Sequence, residues 1–133
     1  MARLLLVTQY PDERAIYGEA LRAEGYDVRI ATGPDDGFVS ALQERPDLVV
    51  TRVPQAGNVG PDSDLLRRLR EEDQTRSVPV VILTSLMQPE HRDDAVGAGC
   101  DGYLLIPALP DTLVREVRRI LTGHHEEGGP PTA

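Results

Sequence analysis

Pro46-Asp47-Leu48-Val49-Val50-Thr51-Arg52 is an apolar run that ends on a cation. Leu48, Val49 and Val50 follow one another with no polar residue between them. A strand built this way buries both faces, as strands of a helix-covered parallel sheet do. Leu4-Leu5-Leu6-Val7 and Val80-Val81-Ile82-Leu83 repeat the pattern. With two weaker candidates, the expected strands are Arg3–Thr8, Tyr26–Ala31, Leu48–Thr51, Val78–Leu83 and Asp101–Leu105.

Helix-patterned segments alternate with these strands. Ile16, Tyr17, Ala20 and Leu21 form one apolar stripe, and Phe38, Val39 and Leu42 a second. Leu65, Leu66 and Leu69 mark a third, and Leu113, Val114, Val117, Ile120 and Leu121 the last. A shorter helix, roughly Pro89 to Ala98, is weakened by Gly97 and Gly99. Asp12, Asp64 and Asp111 stand in or before first turns, and Gly25 follows the first helix. Five successive βα units predict an open, doubly wound parallel α/β sheet with right-handed crossovers. Residues 1–121 read as one domain. Residues 122–133, with Gly-His-His-Glu-Glu-Gly-Gly-Pro-Pro, lack periodicity and read as a flexible tail or linker.

Composition narrows the function classes. A net charge of −8 disfavours nucleic acid or an anionic membrane as a direct partner. Aromatic platforms for stacking bases are nearly absent, since the chain has no Trp and one Phe. No apolar stretch is long enough to span a bilayer. Met1-Ala2-Arg3-Leu4 runs straight into a strand without the apolar region of a signal peptide. The single cysteine, Cys100, rules out an internal disulfide, so a reducing, cytoplasmic setting is expected.

In an open α/β sheet the working site lies at the carboxyl ends of the strands. Those ends carry Thr8-Gln9, Arg52, Thr84-Ser85 and Ile106-Pro107. At this point the chain resembles the receiver domains of bacterial response regulators, over about Arg3 to Leu121. Leu5-Leu6-Val7-Thr8-Gln9-Tyr10-Pro11-Asp12 is similar to the receiver opening, and Pro46 to Arg52 to its phosphoacceptor strand. Val80 to Ser85 resembles the fourth strand, and Ala98 to Pro107 the fifth. Pro61–Asp64 makes the segment before the third helix about two residues longer than the family usually has. The resemblance implies a flavodoxin-like (βα)5 fold with strand order 2-1-3-4-5.

It also implies a degenerate phosphorylation pocket. Thr8 and Gln9 fall where the family has magnesium-binding acids, Arg52 where it has the phosphoacceptor aspartate, and Ile106 where it has a lysine. Thr84 keeps the family's hydroxyl, and Thr84 with Tyr103 corresponds to the pair that switches active receivers. The Ile106-Pro107 step resembles one that is usually cis. A guanidinium has no nucleophilic oxygen and stays cationic, while magnesium wants hard, preferably anionic oxygens. No cofactor and no metal are therefore expected, and the chain is expected not to be an enzyme. The resemblance implies a phosphorylation-independent module acting through protein partners. Its partner face, and a possible homodimer interface, would lie on the fourth helix, fifth strand and fifth helix: Arg92, Asp94, Val96, Tyr103, Arg115, Glu116 and Arg119.

Other readings of these residues stay open. Arg52 with Thr8, Gln9, Thr84 and Ser85 could form a small anion or ligand site, or it could pair with Asp12 or face solvent. Cobalamin modules share the architecture, but no Asp-x-His-x-x-Gly follows the first strand. Gly97-Ala98-Gly99-Cys100-Asp101-Gly102 matches G-x-G-x-x-G literally, yet it follows a helix and precedes a strand. It reads as a helix cap and turn. His91 reads as a solvated helix residue, Cys100 as a small buried hydrophobe, and His124-His125-Glu126-Glu127 as a poor preformed metal site. No nucleophile–base–orienter triad emerges.

Overall fold

A computed structural model describes residues 2–52, 60–85, 89–97 and 99–125. In chain order the elements are β1 (Arg3–Val7), α1 (Pro11–Ala23), β2 (Asp27–Ala31), α2 (Pro34–Glu44) and β3 (Leu48–Arg52). They continue as α3 (Gly60–Glu71), β4 (Val80–Thr84), α4 (Pro89–Gly97), β5 (Gly102–Leu105) and α5 (Pro110–His125). The strands form one parallel sheet in the order β2-β1-β3-β4-β5.

The continuous apolar runs arise because β1, β3 and β4 have helices on both sides. Leu4 and Leu6 point into one core with Tyr17, Leu21, Val50, Leu83, Leu113 and Val117, under α1 and α5. Leu5 and Val7 point into the other with Ala41, Val49, Leu65, Leu69 and Ile82, under α2 and α3. The two-residue alternation of a strand sends neighbours to opposite cores, so successive positions along the middle of these strands are apolar.

Local signals set the helix ends. Pro11 and Pro34 begin α1 and α2, where a missing N–H costs nothing. Helix α4 closes with Gly99 at φ +104°: its N–H donates to the Val96 carbonyl, and the Cys100 N–H to that of Ala95. That bonding pattern is a Schellman cap, so the G-x-G-x-x-G stretch is a helix stop. Gly102 serves close packing instead. A Cβ there would sit 2.9 Å from Glu116 Oε2 and 3.0 Å from Ile120 Cδ1, so a larger residue would have to push the ends of these α5 side chains aside.

Some helix faces differ from expectation. Ile16 is 53% and Val39 48% exposed. Helix α2 meets the sheet through the small residues Gly37 and Ala41, which turns Val39 outward and leaves Phe38 and Leu42 half-buried. Helix α5 continues to His125, so residues 122–125, read from the sequence as the start of a tail, are helical. Residues 126–133 lie outside the described residues, as do 53–59 ahead of α3.

Candidate functional site

Parallel register brings the carboxyl ends of the central strands side by side: Val7 is opposite Thr51, and Arg52 opposite Leu83. Thr8 follows β1 and is fully covered. Its Oγ1 donates to Glu13 Oε1 at 2.9 Å and accepts from the Tyr10 N–H at 3.1 Å. Arg52 closes β3, and its Nε donates to Glu13 Oε2 at 2.9 Å. The side chains of this ion pair are only 6% and 18% exposed. Tyr10 lies over the guanidinium, with Arg52 Cζ 4.8 Å from the ring centroid, a cation–π contact. Arg14 Nη1 donates to the Thr8 carbonyl at 3.1 Å, tying α1 to the end of β1 once more.

The partner of Arg52 is thus Glu13, and the Asp12 considered from the sequence is exposed. Helical periodicity explains the choice. Glu13 stands four residues before the buried Tyr17, on the side of α1 that faces the sheet, whereas Asp12 is turned about 100° away. Tyr17 in turn donates its hydroxyl to the Ala108 carbonyl at 2.8 Å, joining α1 to the loop after β5. Burial pushes the Tyr17 phenol above its ordinary range, the Ala108 bond opposes this, and the Glu13 carboxylate adds to the rise.

The remaining expected pocket residues divide. Thr84 is fully buried at the end of β4, and its carbonyl accepts the Ile106 N–H at 2.8 Å. Gln9 is exposed. Ile106 is half-buried and packs its aliphatic side chain against the core under α1 and α5, and the bond to Pro107 is cis. Glu13 and Tyr10, which complete the arrangement around Arg52, were not singled out in the sequence. The helical spacing of four residues between Glu13 and the buried Tyr17 is the signal by which Glu13 could have been found.

The other end of the edge is built differently. Ser85, just past β4, has its Oγ buried with no hydrogen-bond partner among the described residues. His91 on α4, expected to be solvated, is 6% exposed and meets the Tyr103 ring edge-on at 6.0 Å between centroids. Both of its ring nitrogens also lack a hydrogen-bond partner among the described residues. Burial raises the Tyr103 phenol, with the nearby Cys100 adding to it. Below this region Arg70 of α3 clamps the α4–β5 turn. Its Nη2 donates to the Gly99 carbonyl at 2.7 Å and to Asp101 Oδ2 at 2.9 Å, and its Nη1 to the Val78 carbonyl at 2.6 Å.

On the expected partner face Arg92, Asp94, Val96, Arg115 and Arg119 are exposed, and Tyr103 and Glu116 half-buried. Arg119 Nη2 pairs with Glu116 Oε2 at 2.8 Å. The hydrogen bond that Arg119 donates to Glu116 raises the guanidinium's already high pKa.

The donors at the edge do not fit the magnesium that the resemblance implies. Thr8 and Gln9 offer neutral oxygens, Arg52 is a cation, and the inward carboxylate of Glu13 is held by Thr8 and Arg52. Among the described residues no cluster of three His, Cys, Asp or Glu side chains could hold a metal ion. An anion approaching Arg52 would have to compete with Glu13. No described helix is long and apolar enough to cross a membrane.

Known proteins resemble this geometry and sequence throughout. The chain is 30% identical over 123 residues to Protein PilH of Pseudomonas aeruginosa, covering 92% of this chain and 100% of the relative. It is 34% identical over 103 residues to a gliding motility regulatory protein of Myxococcus xanthus, covering 77% of this chain but 13% of that longer protein. The solved structure of chemotaxis response regulator CheY4 of Vibrio cholerae matches with a TM-score of 0.82 at 24% identity. That match covers 90% of this chain and 98% of CheY4, and it supports the fold alone. The model of the response regulator receiver domain family matches residues 4–118, and the chain belongs to that family.

Proposed function

We propose that the chain is a phosphorylation-independent receiver: a non-catalytic module that binds protein partners in a two-component-type pathway. The observation that carries this reading is the buried Arg52–Glu13 pair at the end of β3. If Arg52 occupies the acceptor position, as the resemblance implies, the site has a guanidinium where a nucleophilic oxygen is required. It also lacks the acids that would hold magnesium and, with Ile106, the cation that would balance the phosphoryl oxygens. Replacing one of these parts could be compensated; replacing them together removes the chemistry.

Signalling is then left to surfaces. The α4–β5–α5 face, with Arg92, Asp94, Val96, Tyr103, Arg115, Glu116 and Arg119, presents mixed charges suited to an exchangeable interface. It is proposed both for partner binding and for self-association. Without a phosphoryl group to draw Thr84 inward, Thr84 and Tyr103 hold one arrangement rather than switching. Similarity to a gliding motility regulatory protein supports a regulatory role, and a cytoplasmic setting is part of the proposal.

The test is exposure of the protein to acetyl phosphate and magnesium, followed by intact-mass measurement. No phosphoryl adduct is expected. An adduct mapped to any aspartate would overturn the reading.

A further inference from the structure

Helices α1 and α5 lie side by side over one core and run in the same direction. Two contacts fix this. Tyr17 of α1 donates to the Ala108 carbonyl just ahead of α5, and Glu24, which caps the end of α1, pairs with Arg118 well along α5. The outward ridges of the two helices follow one spacing. On α1 the ridge is Asp12, Ile16, Glu19 and Ala23, and on α5 it is Asp111, Arg115, Arg118 and Thr122; all of these residues are exposed. Steps of four, three and four residues keep each set on one side of its helix. Beyond the first turns the ridges are opposite in charge, with Glu19 on α1 and Arg115 and Arg118 on α5. At the upper end each helix also offers an apolar side chain to solvent. Ile16 is 53% exposed and Leu109, immediately ahead of α5, 71%.

We infer that the α1–α5 face docks a second copy of this chain, in a two-fold dimer that sets α1 of each copy against α5 of the other. A two-fold axis lying in the interface and parallel to the helices makes that exchange, and it preserves both helix direction and level. The levels follow from the Glu24–Arg118 pair. Five residues before that pair, Glu19 stands level with Leu113, so Arg115 of the second copy is two residues away, about 3 Å along the axis. Three residues earlier still, Ile16 stands level with Pro110 and meets Leu109 of the second copy. Symmetry makes each contact twice. Arg118 is neutralised by Glu24 of its own copy, and Arg22 is turned to the Val28 carbonyl at the sheet edge. Asp111 lies in the first turn of α5, where the helix dipole favours an acid.

A face with one sign of charge on one helix and the opposite sign on its neighbour is complementary to itself. That is the argument for a second copy as the occupant. The inference does not depend on whether the phosphorylation pocket is silent. Glu19, Ile16 and Leu109 lie outside the α4–β5–α5 face, so the two surfaces can be told apart.

Sedimentation equilibrium of the full chain, over a range of protein and salt concentrations, is the test. A monomer–dimer equilibrium is expected that shifts toward monomer as salt screens the ion pairs. Glu19→Arg and Arg115→Glu, both at exposed positions, should each raise the dimer dissociation constant by about tenfold or more, because two like-charge contacts replace two ion pairs. Mixing the two variants in equal amounts should restore association, since each then supplies the charge that the other lacks at both contacts. Leu109→Ser should weaken the dimer by a smaller factor. A chain that stays monomeric up to about 1 mM overturns the inference. So does a wild-type dimer that the charge variants leave intact, or a pair of dissociated variants that fail to associate when mixed.

Discussion

At the α1 half of the sheet's carboxyl edge, Thr8, Glu13 and Arg52 satisfy one another in a covered network with Tyr10 laid over the guanidinium. At the α4 half, Ser85 Oγ and both ring nitrogens of His91 are buried without partners among the described residues. Both halves lie at the strand ends where this architecture does its work. The first is closed: Arg52 and Glu13 are paired, and a metal or phosphoryl group would have to break that ion pair. The second has buried polar atoms that make no hydrogen bond among the described residues, an arrangement that costs free energy. The edge is thus cross-linked by side chains at its α1 half, and at its α4 half Ser85 and His91 make no such links among the described residues.

The largest effect should come from breaking the closed half. Arg52→Met leaves the Glu13 carboxylate covered and unpaired. Removing one partner of a fully buried pair costs about 3–5 kcal/mol, and partial exposure of Glu13 should reduce this to about 2–3 kcal/mol. Urea denaturation would read it as a lower midpoint with an unchanged slope. The double variant Glu13→Gln, Arg52→Met should return to within about 1 kcal/mol of wild type, because no charge is left behind. If the double variant is as unstable as the single one, the pair is not what closes this half.

Arg70→Met acts at the base of the other half. It removes the donors to Gly99, Val78 and Asp101, and a loss of about 1–3 kcal/mol is expected. The added exchange should be concentrated in α4 and the α4–β5 turn; an increase confined to α1 would contradict the division. The smallest effect concerns Cys100. Burial, with Asp101 adding to it, raises the thiol above its ordinary range. Less of it is thiolate at mildly alkaline pH, so alkylation should be slower in the native protein than in urea. The difference should narrow as pH rises, and equal rates throughout would show that the turn is open.

The sheet was legible because burial on both faces leaves a mark that needs no context: three apolar runs, Leu4–Val7, Leu48–Val50 and Val80–Leu83, uninterrupted by a polar residue. The site was only partly legible. Arg52 announced itself as a cation at the end of an apolar strand, but its partner depended on which residue of the first turn of α1 faces inward. Two adjacent acids, Asp12 and Glu13, hid the answer. His91 was misread because α4 lacks the stripe that signals a buried face, so a single inward side chain among charged neighbours looks like solvated surface. Ile16 and Val39 misled in the opposite direction. Where Gly37 and Ala41 let α2 approach the sheet, large apolar neighbours are turned outward, and hydrophobicity alone cannot show that small residues form the contact.

The bond from Arg52 Nε to Glu13 tests the closed half most directly, because its Nε–H resonance can be followed by NMR. The protein would be titrated with magnesium and then with acetyl phosphate. The account predicts a protected Nε–H whose position stays fixed through both additions, along with the Thr8 and Glu13 amides. A saturable shift of these signals with magnesium, or their replacement by a new set once the phosphodonor is added, would contradict it.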